Sequence, residues 1–435
     1  MREKIDVQYL KPGMYVAELD RPWRETPFLF QGFEIRSQAE IEALRQHCKW
    51  VYINTPAGGW ASPTPRPAAP ARHRPQWIET EAEQRVAHDF LKIVNQPRPQ
   101  PVYRDACTLE DEIPAAREHY AAAGAVIQQM FDDIRAGKSI DSTSLKRVVG
   151  ELARSVIRNP DALTCFAQLK KKDEYTAMHS VRVCILALMF GRHLGLEPGN
   201  LELLGTGALL HDIGKVKVPA EILQKPEPLT GEEFSLMKMH VPWGVQILEQ
   251  ARSIPRAAIE VTRQHHERYE GGGYIAGLRH EQISLFGMIG GIVDCYDAVT
   301  SDRAYRAGVS AHAALRQMYG WRGRDFHPRL VEQFIQCLGI YPIGSVVELS
   351  TGEIGVVVTT NRVRRLKPRV TLILDNDNRP YDTPPTIDLL NYRAGGAPCE
   401  IDRVVEPGVY GIDPVLHLPV ANTARFTQTP APTPI

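Results

Sequence analysis

The chain has 435 residues, more than one ordinary domain needs, so the sequence predicts several domains. Lysine plus arginine and aspartate plus glutamate each number 51, and this zero net charge excludes a globally basic nucleic-acid-binding protein. Hydrophobic residues make up 43% and charged residues 23%, which argues against wholesale disorder.

The sequence shows no sign of export or of membrane insertion. The longest apolar run, at 183–190, is shorter than the roughly 18 residues of a membrane span, and the charged N-terminus does not resemble a signal peptide. The seven cysteines are scattered without a Cys-x-x-Cys pair, which is typical of reduced thiols. We therefore expect a soluble protein located in the cytoplasm.

Residues 1–54 are predicted to form a small α/β domain. Strand-like runs at 14–19 and 50–53 flank an amphipathic helix at 37–48. Ser37-Gln-Ala-Glu40 has the form of a capping box and marks the start of that helix. The six prolines that follow indicate a semi-extended linker at 55–76.

The rest of the chain is predicted to be mainly helical, with a change to β structure after residue 340. Helical patterns at 77–94, 115–135 and 142–158 define a connecting region at 77–160, and an all-helical bundle of about one domain follows at 161–340. Beyond it, β-branched runs at 345–349, 354–359 and 370–374 predict a small β-rich appendage at 341–420. Residues 421–435, rich in Thr and Pro, are expected to be a disordered tail.

Histidines are concentrated in the helical bundle. Six of the 14 lie between residues 179 and 266, and all of these except His193 stand in polar, turn-adjacent contexts. Successive candidates are about thirty residues apart, roughly one helix and one loop, so each helix of a bundle can bring one side chain to a common point. The candidates are His179, His211, Asp212, His240, His265, His266 and Asp294.

Imidazoles and carboxylates without thiolates suit Fe, Mn, Zn or Ni in a reactive site better than a structural zinc. Five histidines and two aspartates exceed the needs of one ion that keeps an open position, and they suit two ions with a bridging aspartate. A pair about 3.5–4 Å apart can hold a hydroxide that attacks a phosphoryl group in line. His193 is expected to be an ordinary packed or surface histidine.

Three motifs together resemble the HD-GYP family of the HD phosphohydrolases. They are HDIGK at 211–215, HHE at 265–267 followed by Gly-Gly-Tyr at 272–274, and DAVTSDRAYR at 297–306. The resemblance covers about 165–340, and residues 1–54 resemble a small domain of uncharacterised role that often precedes HD-GYP domains. Members of this family are bacterial phosphodiesterases that hydrolyse cyclic di-GMP with two or three metal ions.

The resemblance implies that the seven candidates bind metal, with Asp212 as the bridge. It also implies that Lys215 lies beside the scissile phosphate, that Arg303 and Arg306 hold phosphates of the dinucleotide, and that Tyr274 contacts the substrate. Some members with three metals have a glutamate where this chain has Tyr175, so two divalent ions are expected, Fe or Mn before Zn or Ni.

The chain departs from the family pattern around one loop. The Gly-Tyr-Pro triplet is Gly273-Tyr274-Ile275, and further differences fall at Tyr269-Glu270, His280, Met288 and Ala304. Without proline at 275 the backbone φ is no longer locked, so the lip over the site is expected to be less preorganised.

Together these observations predict a phosphodiesterase that converts cyclic di-GMP to pGpG, and they leave open whether hydrolysis stops there or continues to GMP. The altered lip leaves open an alternative, a sensor or protein-docking module that binds cyclic di-GMP with weak or no cleavage. A third interpretation keeps the metals but assigns another nucleotide substrate or an oxygenase reaction. Expected partners are cyclic di-GMP, proteins of a signalling network and a second copy of the chain, but neither DNA, RNA nor a membrane.

Overall fold

The computed structural model describes residues 2–21, 26, 28, 32–54, 103–170, 176–302, 308–362, 364–406 and 408–420. Contacts divide the chain into two units, Met1–Glu79 and Thr80–Ile435, which are described separately. The predicted linker at 55–76, the helix at 77–94 and the tail at 421–435 lie outside the described residues.

The first unit is a four-stranded antiparallel sheet with one helix. The sheet order is β1-β4-β2-β3, and its strands are β1 (Arg2–Asp6), β2 (Tyr15–Leu19), β3 (Phe33–Glu34) and β4 (Trp50–Asn54). Helix α1 (Gln38–His47) starts at the predicted capping box, in which Ser37 and Glu40 satisfy each other's backbone N–H groups. Ile41 and Leu44 form its buried face.

The second unit begins with two long helices, α2 (Leu109–Arg135) and α3 (Ser142–Arg158). The sequence places the start of α2 at 115, whereas the helix begins six residues earlier. A capping box of Thr108 and Asp111 starts it, and Pro114 lies within its early turns. Proline at the sixth helical position lies beyond the unpaired N–H groups of the first turn, so it removes the intrahelical donor to the carbonyl of Glu110.

The helices that follow surround the histidine-rich region. In chain order they are α4 (Pro160–Ala167), α5 (Ala177–Leu194), α6 (Pro198–Leu210), a 3-10 helix (Ile213–Lys217), α7 (Ala220–Leu223), α8 (Gly231–Lys238), α9 (His240–Gln250), α10 (Arg256–Gln264), α11 (Leu285–Thr300), α12 (Ala311–Trp321) and α13 (Pro328–Leu338). Helix α5 is buried along almost its whole length and packs against α6 and α11. Helix α10 packs against α6, α9 and α11.

A close approach of two backbones fixes the 3-10 helix against α9. A Cβ atom on Gly214 would lie 1.9 Å from the carbonyl oxygen of His240 and 2.5 Å from the nitrogen of Gly244. Only glycine fits at this crossing, which sets the segment after α6 beside the start of α9.

Seven strands follow the helices: β5 (Val346–Leu349), β6 (Ile354–Thr359), β7 (Arg369–Leu374), β8 (Thr386–Asp388), β9 (Arg393–Ala394), β10 (Ala397–Pro398) and β11 (Ile401–Val405). Five of them form an antiparallel sheet of order β11-β5-β6-β7-β8, and β9 and β10 form a short hairpin. Arg362 joins this sheet region to the helices through contacts with Asp161 at 2.7 Å and Asp105 at 2.6 Å.

The predicted fold class is confirmed: the described chain is mainly helical, with a small α/β unit first and a small sheet last. None of the helices in the described part of the chain combines the length and the apolar character that a membrane span requires. The domain boundaries themselves remain predictions.

Candidate metal centre

The seven predicted ligands come from the ends and middles of five helices and lie together. His179 is the third residue of α5, His211 and Asp212 follow α6, and His240 begins α9. The doublet His265-His266 follows α10, and Asp294 lies within α11. Their ligand atoms form three overlapping groups, each with all members within 4.8 Å of one another: His240, His265 and His266; His179, His211 and Asp294; His211, Asp212 and His265.

Asp212 lies at the centre of the cluster, and each of its two carboxylate oxygens faces a different pair of histidines. Oδ2 is 3.3 Å from Nε2 of His211 and 3.7 Å from Nε2 of His179. Oδ1 is 3.4 Å from Nε2 of His240 and 3.9 Å from Nε2 of His265. The arrangement is that of a carboxylate that can bridge two cations.

Three of the histidines are held by their Nδ1 atoms, so that Nε2 points at Asp212. Nδ1 donates to the carbonyl of Ala208 in His211 and of Met237 in His240, at 2.8 and 2.7 Å. In His265 it lies 3.0 Å from the carbonyl of Thr262. A carbonyl only accepts hydrogen bonds, so Nδ1 carries the proton, and in the neutral ring Nε2 offers a lone pair.

The lone pairs of two of these rings face each other. Nε2 of His240 lies 3.4 Å from Nε2 of His265. Burial and the nearby His211 lower the pKa of His265 to about 3, and burial also lowers the pKa of His240 despite the attraction of Asp212. Both rings are therefore neutral near pH 7, and two facing lone pairs without a proton between them favour a cation beside them.

Two further buried atoms in the cluster lack a hydrogen bond. Nε2 of His211 and Oδ1 of Asp212 have no hydrogen-bond partner in the described part of the chain. An unsatisfied buried polar atom is costly, and coordination to a metal ion removes that cost. The donor set, imidazole nitrogens and carboxylate oxygens, therefore fits divalent Fe, Mn, Zn or Ni.

The aspartates carry the negative charge that such ions require. Burial alone would raise the pKa of Asp212, but the attraction of His211 and Lys215 holds this pKa well below its ordinary value. Burial likewise opposes ionisation of Asp294, and the contact of its Oδ1 with Nε2 of His179 at 3.1 Å lowers its pKa below the ordinary range. Two buried carboxylates stay ionised in a pocket of low dielectric, which favours cation binding.

Two of the four predicted substrate residues, Lys215 and Tyr274, belong to the described part of the chain. Lys215 donates from Nζ to Oδ2 of Asp212 at 2.5 Å. The ring of Tyr274 stacks on that of His266 at a centroid distance of 4.6 Å, and burial raises the pKa of its phenol. Arg303 and Arg306 lie outside the described residues.

The sequence motifs did not single out the role of Glu267 in the loop over the site. This buried carboxylate accepts hydrogen bonds from the backbone N–H groups of Ala276 at 2.7 Å and Leu278 at 2.9 Å. Its position directly after the histidine doublet was the available signal. The loop predicted to be less preorganised at Ile275 is thus held at two backbone groups by a side chain beside the metal centre.

Asp297 was also missed as a site residue, although it lies one helical turn after Asp294. It is buried, and its Oδ2 lies 2.7 Å from Nδ1 of His179. Arg182 donates to it at 2.9 Å, and Nζ of Lys170 lies 3.1 Å from its Oδ1. Burial opposes its ionisation, but Lys170 and His179 hold its pKa well below the ordinary value.

A helical bundle with this buried His/Asp cluster is the architecture of an HD domain, and comparison with known families agrees. Residues 164–330 match the family described as an HD domain. Residues 346–395 match a KOW domain associated with HD domains, and residues 2–145 match a domain of unknown function.

Similar proteins are found in several bacteria. The cyclic di-GMP phosphodiesterase PA4108 of Pseudomonas aeruginosa is 36% identical over 408 residues, which cover 93% of this chain and 92% of that protein. A cyclic di-GMP phosphodiesterase of Thermotoga maritima is 35% identical over 38% of this chain and 45% of its own length. The 3'3'-cGAMP-specific phosphodiesterase 2 of Vibrio cholerae is 31% identical over 39% of this chain and 32% of its own length. The chain belongs to the HD-GYP family, as its motifs predict.

Proposed function

We propose that this chain is a phosphodiesterase that uses two divalent metal ions to hydrolyse cyclic di-GMP to pGpG, with GMP as a further product. The observation that carries the proposal is the pair of neutral imidazoles, His240 and His265, whose Nε2 atoms face each other across 3.4 Å beside Asp212. The relative from Pseudomonas aeruginosa, similar along almost the whole chain, supports the substrate.

The cluster divides naturally into two sets of ligands around Asp212. His179, His211 and Asp294 would hold one ion with Oδ2 of Asp212, and His240, His265 and His266 would hold the other with Oδ1. Iron or manganese is expected, with zinc and nickel as alternatives. Bound at these residues, such ions supply Lewis acidity at the phosphate and a water molecule of lowered pKa.

The remaining residues of the site would bind and orient the dinucleotide. Lys215 holds a positive charge beside Asp212, where it can stabilise charge that develops on the phosphate oxygens. Tyr274 lies against His266, and Nζ of Lys238 lies 5.7 Å from the Tyr274 ring and 4.9 Å from the exposed ring of Phe234. We propose that these aromatic faces contact a base, while Arg303 and Arg306 hold phosphates.

The test is product analysis with two cyclic dinucleotides. Purified protein is loaded anaerobically with Fe(II) or Mn(II) and incubated with cyclic di-GMP or 3'3'-cGAMP, and the products are separated by chromatography. We expect pGpG, then GMP, from cyclic di-GMP at a higher kcat/KM than linear product from 3'3'-cGAMP. A preference for 3'3'-cGAMP would contradict the proposed substrate. Metal-loaded protein that binds cyclic di-GMP and returns it intact would instead establish the sensor alternative.

The intact ligand cluster favours hydrolysis over a sensor role. The cytoplasmic location, protein partners and a homodimer remain predictions of the sequence.

A further inference from the structure

The geometry points to Asp297 as a positioning residue that fixes the ring of His179 through Nδ1 and so presents its Nε2 to the metal centre. This inference rests on the proposed metal site. It assigns Asp297 no contact with a metal or with substrate.

The reason lies in where each histidine stands in its helix. His211 and His265 directly follow the last residues of α6 and α10, and His240 comes two residues after the end of α8. The last carbonyls of a helix have no N–H partner within the helix. These three histidines use such carbonyls, three residues before them, to hold Nδ1.

His179 cannot be held in this way because it lies at the other end of a helix. It is the third residue of α5, and the first turn of a helix presents unpaired N–H groups, which are donors like the Nδ1–H itself. An acceptor must therefore come from another element. Asp297 of α11 supplies it, with Oδ2 2.7 Å from Nδ1 of His179.

The surroundings of Asp297 keep it an acceptor. Arg182, one turn after His179 on α5, donates from Nε at 2.9 Å, and Nζ of Lys170 lies 3.1 Å from Oδ1. Both of these neighbours are donors, so the oxygens of Asp297 accept, and Nδ1 of His179 is the donor to Oδ2. The other ring nitrogen, Nε2, faces Asp212 and Asp294. A carboxylate at this position also makes the imidazole a stronger ligand.

Two residues of helix α11 that lie one turn apart contact the same histidine ring. Asp294 contacts Nε2 of His179 at 3.1 Å, and Asp297 contacts Nδ1 of the same ring. Residues three apart lie on the same side of a helix, so both reach His179. The ring is held from both nitrogens by one rigid element.

A double-mutant cycle on metal affinity tests this role without reference to catalysis. Mn(II) affinity is measured by competition with a chelator for the wild type, Asp297→Asn, His179→Ala and the double variant. We expect Asp297→Asn to weaken the affected site about 10- to 100-fold, because the charge is lost and an NH₂ donor replaces one of the two accepting oxygens. In the His179→Ala background the same change should have no further effect, since Asp297 acts through that ring.

The control is Asp161→Asn, which alters another buried carboxylate whose partners are Thr360 and Arg362. It should lower the melting temperature and leave Mn(II) affinity unchanged. If Asp297→Asn does not fold, Asp297→Glu, which keeps the charge but displaces it by one methylene, is used in the same cycle.

Affinity of Asp297→Asn within twofold of the wild type, or multiplicative effects in the double variant, would overturn the assignment and leave the proposed function standing. A wild type that binds no divalent metal would instead remove the proposed function itself.

Discussion

Lys215 and Asp212 form a contact in which only one of the two carboxylate oxygens is used. Nζ of Lys215 lies 2.5 Å from Oδ2, while Oδ1 has no hydrogen-bond partner among the described residues. Because the group is buried, a bound cation would give Oδ1 the partner that it lacks. In the function that we propose, the ammonium group would meet the phosphate, so that metal binding and phosphate binding would both involve Asp212.

Replacement of Lys215 by Met is expected to lower kcat about 10²–10³-fold, because one preorganised positive group is removed from the site of charge development. Metal content should be unchanged, since Lys215 is not a ligand. Both are measured on the same preparation. Lys217→Met is the matched control: this exposed residue lies on the same 3-10 helix and contacts Gln246, and it should keep wild-type kcat. Equal losses in both variants would contradict the role of Lys215.

Removal of a candidate ligand should reduce bound metal. His265→Ala deletes a buried imidazole that lies within reach of Asp212 and His240, and we expect loss of at least one ion per chain together with turnover. His193→Ala is the control, because this histidine contacts Gln333 at 3.0 Å and has no place in the cluster. Elemental analysis measures the metal bound per chain in both variants. Full metal content in His265→Ala would show that the imidazole is not a ligand.

We expect the close backbone crossing at Gly214 to be necessary for the stability of the fold. A methyl group there would overlap the carbonyl oxygen of His240, so Gly214→Ala should cost about 1–3 kcal/mol of stability, or more, and displace His240. Thermal unfolding and metal content should both fall. Gly231→Ala, at the start of α8 with open space around the added carbon, should leave both nearly unchanged. Normal metal binding by Gly214→Ala would show that the crossing is not needed.

We expect His327 to make the stability of the fold depend on pH, independently of the metal centre. This buried residue accepts a hydrogen bond from the N–H of Leu330 at the start of α13, and burial lowers its pKa from 6.5 to about 4. Between these values the unfolded chain binds a proton that the folded chain excludes, so stability falls as pH falls from 6.5 towards 4, by at most about 1.4 kcal/mol per pH unit.

Asparagine can cap the same helix without titrating in this range. Urea unfolding at pH 7 and pH 5 should therefore show a smaller loss of stability for His327→Asn than for the wild type. Identical losses would mean that His327 does not contribute to the pH dependence.

Much of this architecture follows from local sequence patterns. The predicted capping box at Ser37 starts α1, and the β-branched runs after residue 340 correspond to β5, β6 and β7. Both signals depend on residues close in the chain. The start of α2 was placed too late because periodicity alone does not show that Thr108 and Asp111 cap the helix ahead of Pro114.

The candidate ligands could be predicted because adjacent histidines and aspartates are rare patterns with a shared chemistry. Asp297 and Glu267 could not be assigned in the same way, since single carboxylates are common and their roles depend on distant partners. Asp297 contacts a histidine 118 positions earlier in the chain. Glu267 accepts hydrogen bonds from backbone N–H groups of the loop that follows it. Such contacts become visible only when the helices are packed.

The two-metal hydrolysis is tested best by a titration of metal-free protein with Mn(II), in which bound metal and hydrolysis of cyclic di-GMP are followed on the same samples. We expect pGpG to appear as the second equivalent binds, and His240→Ala to bind less metal and to form no pGpG. Turnover that persists in excess chelator with no metal bound would contradict it, as would two bound ions with no linear product.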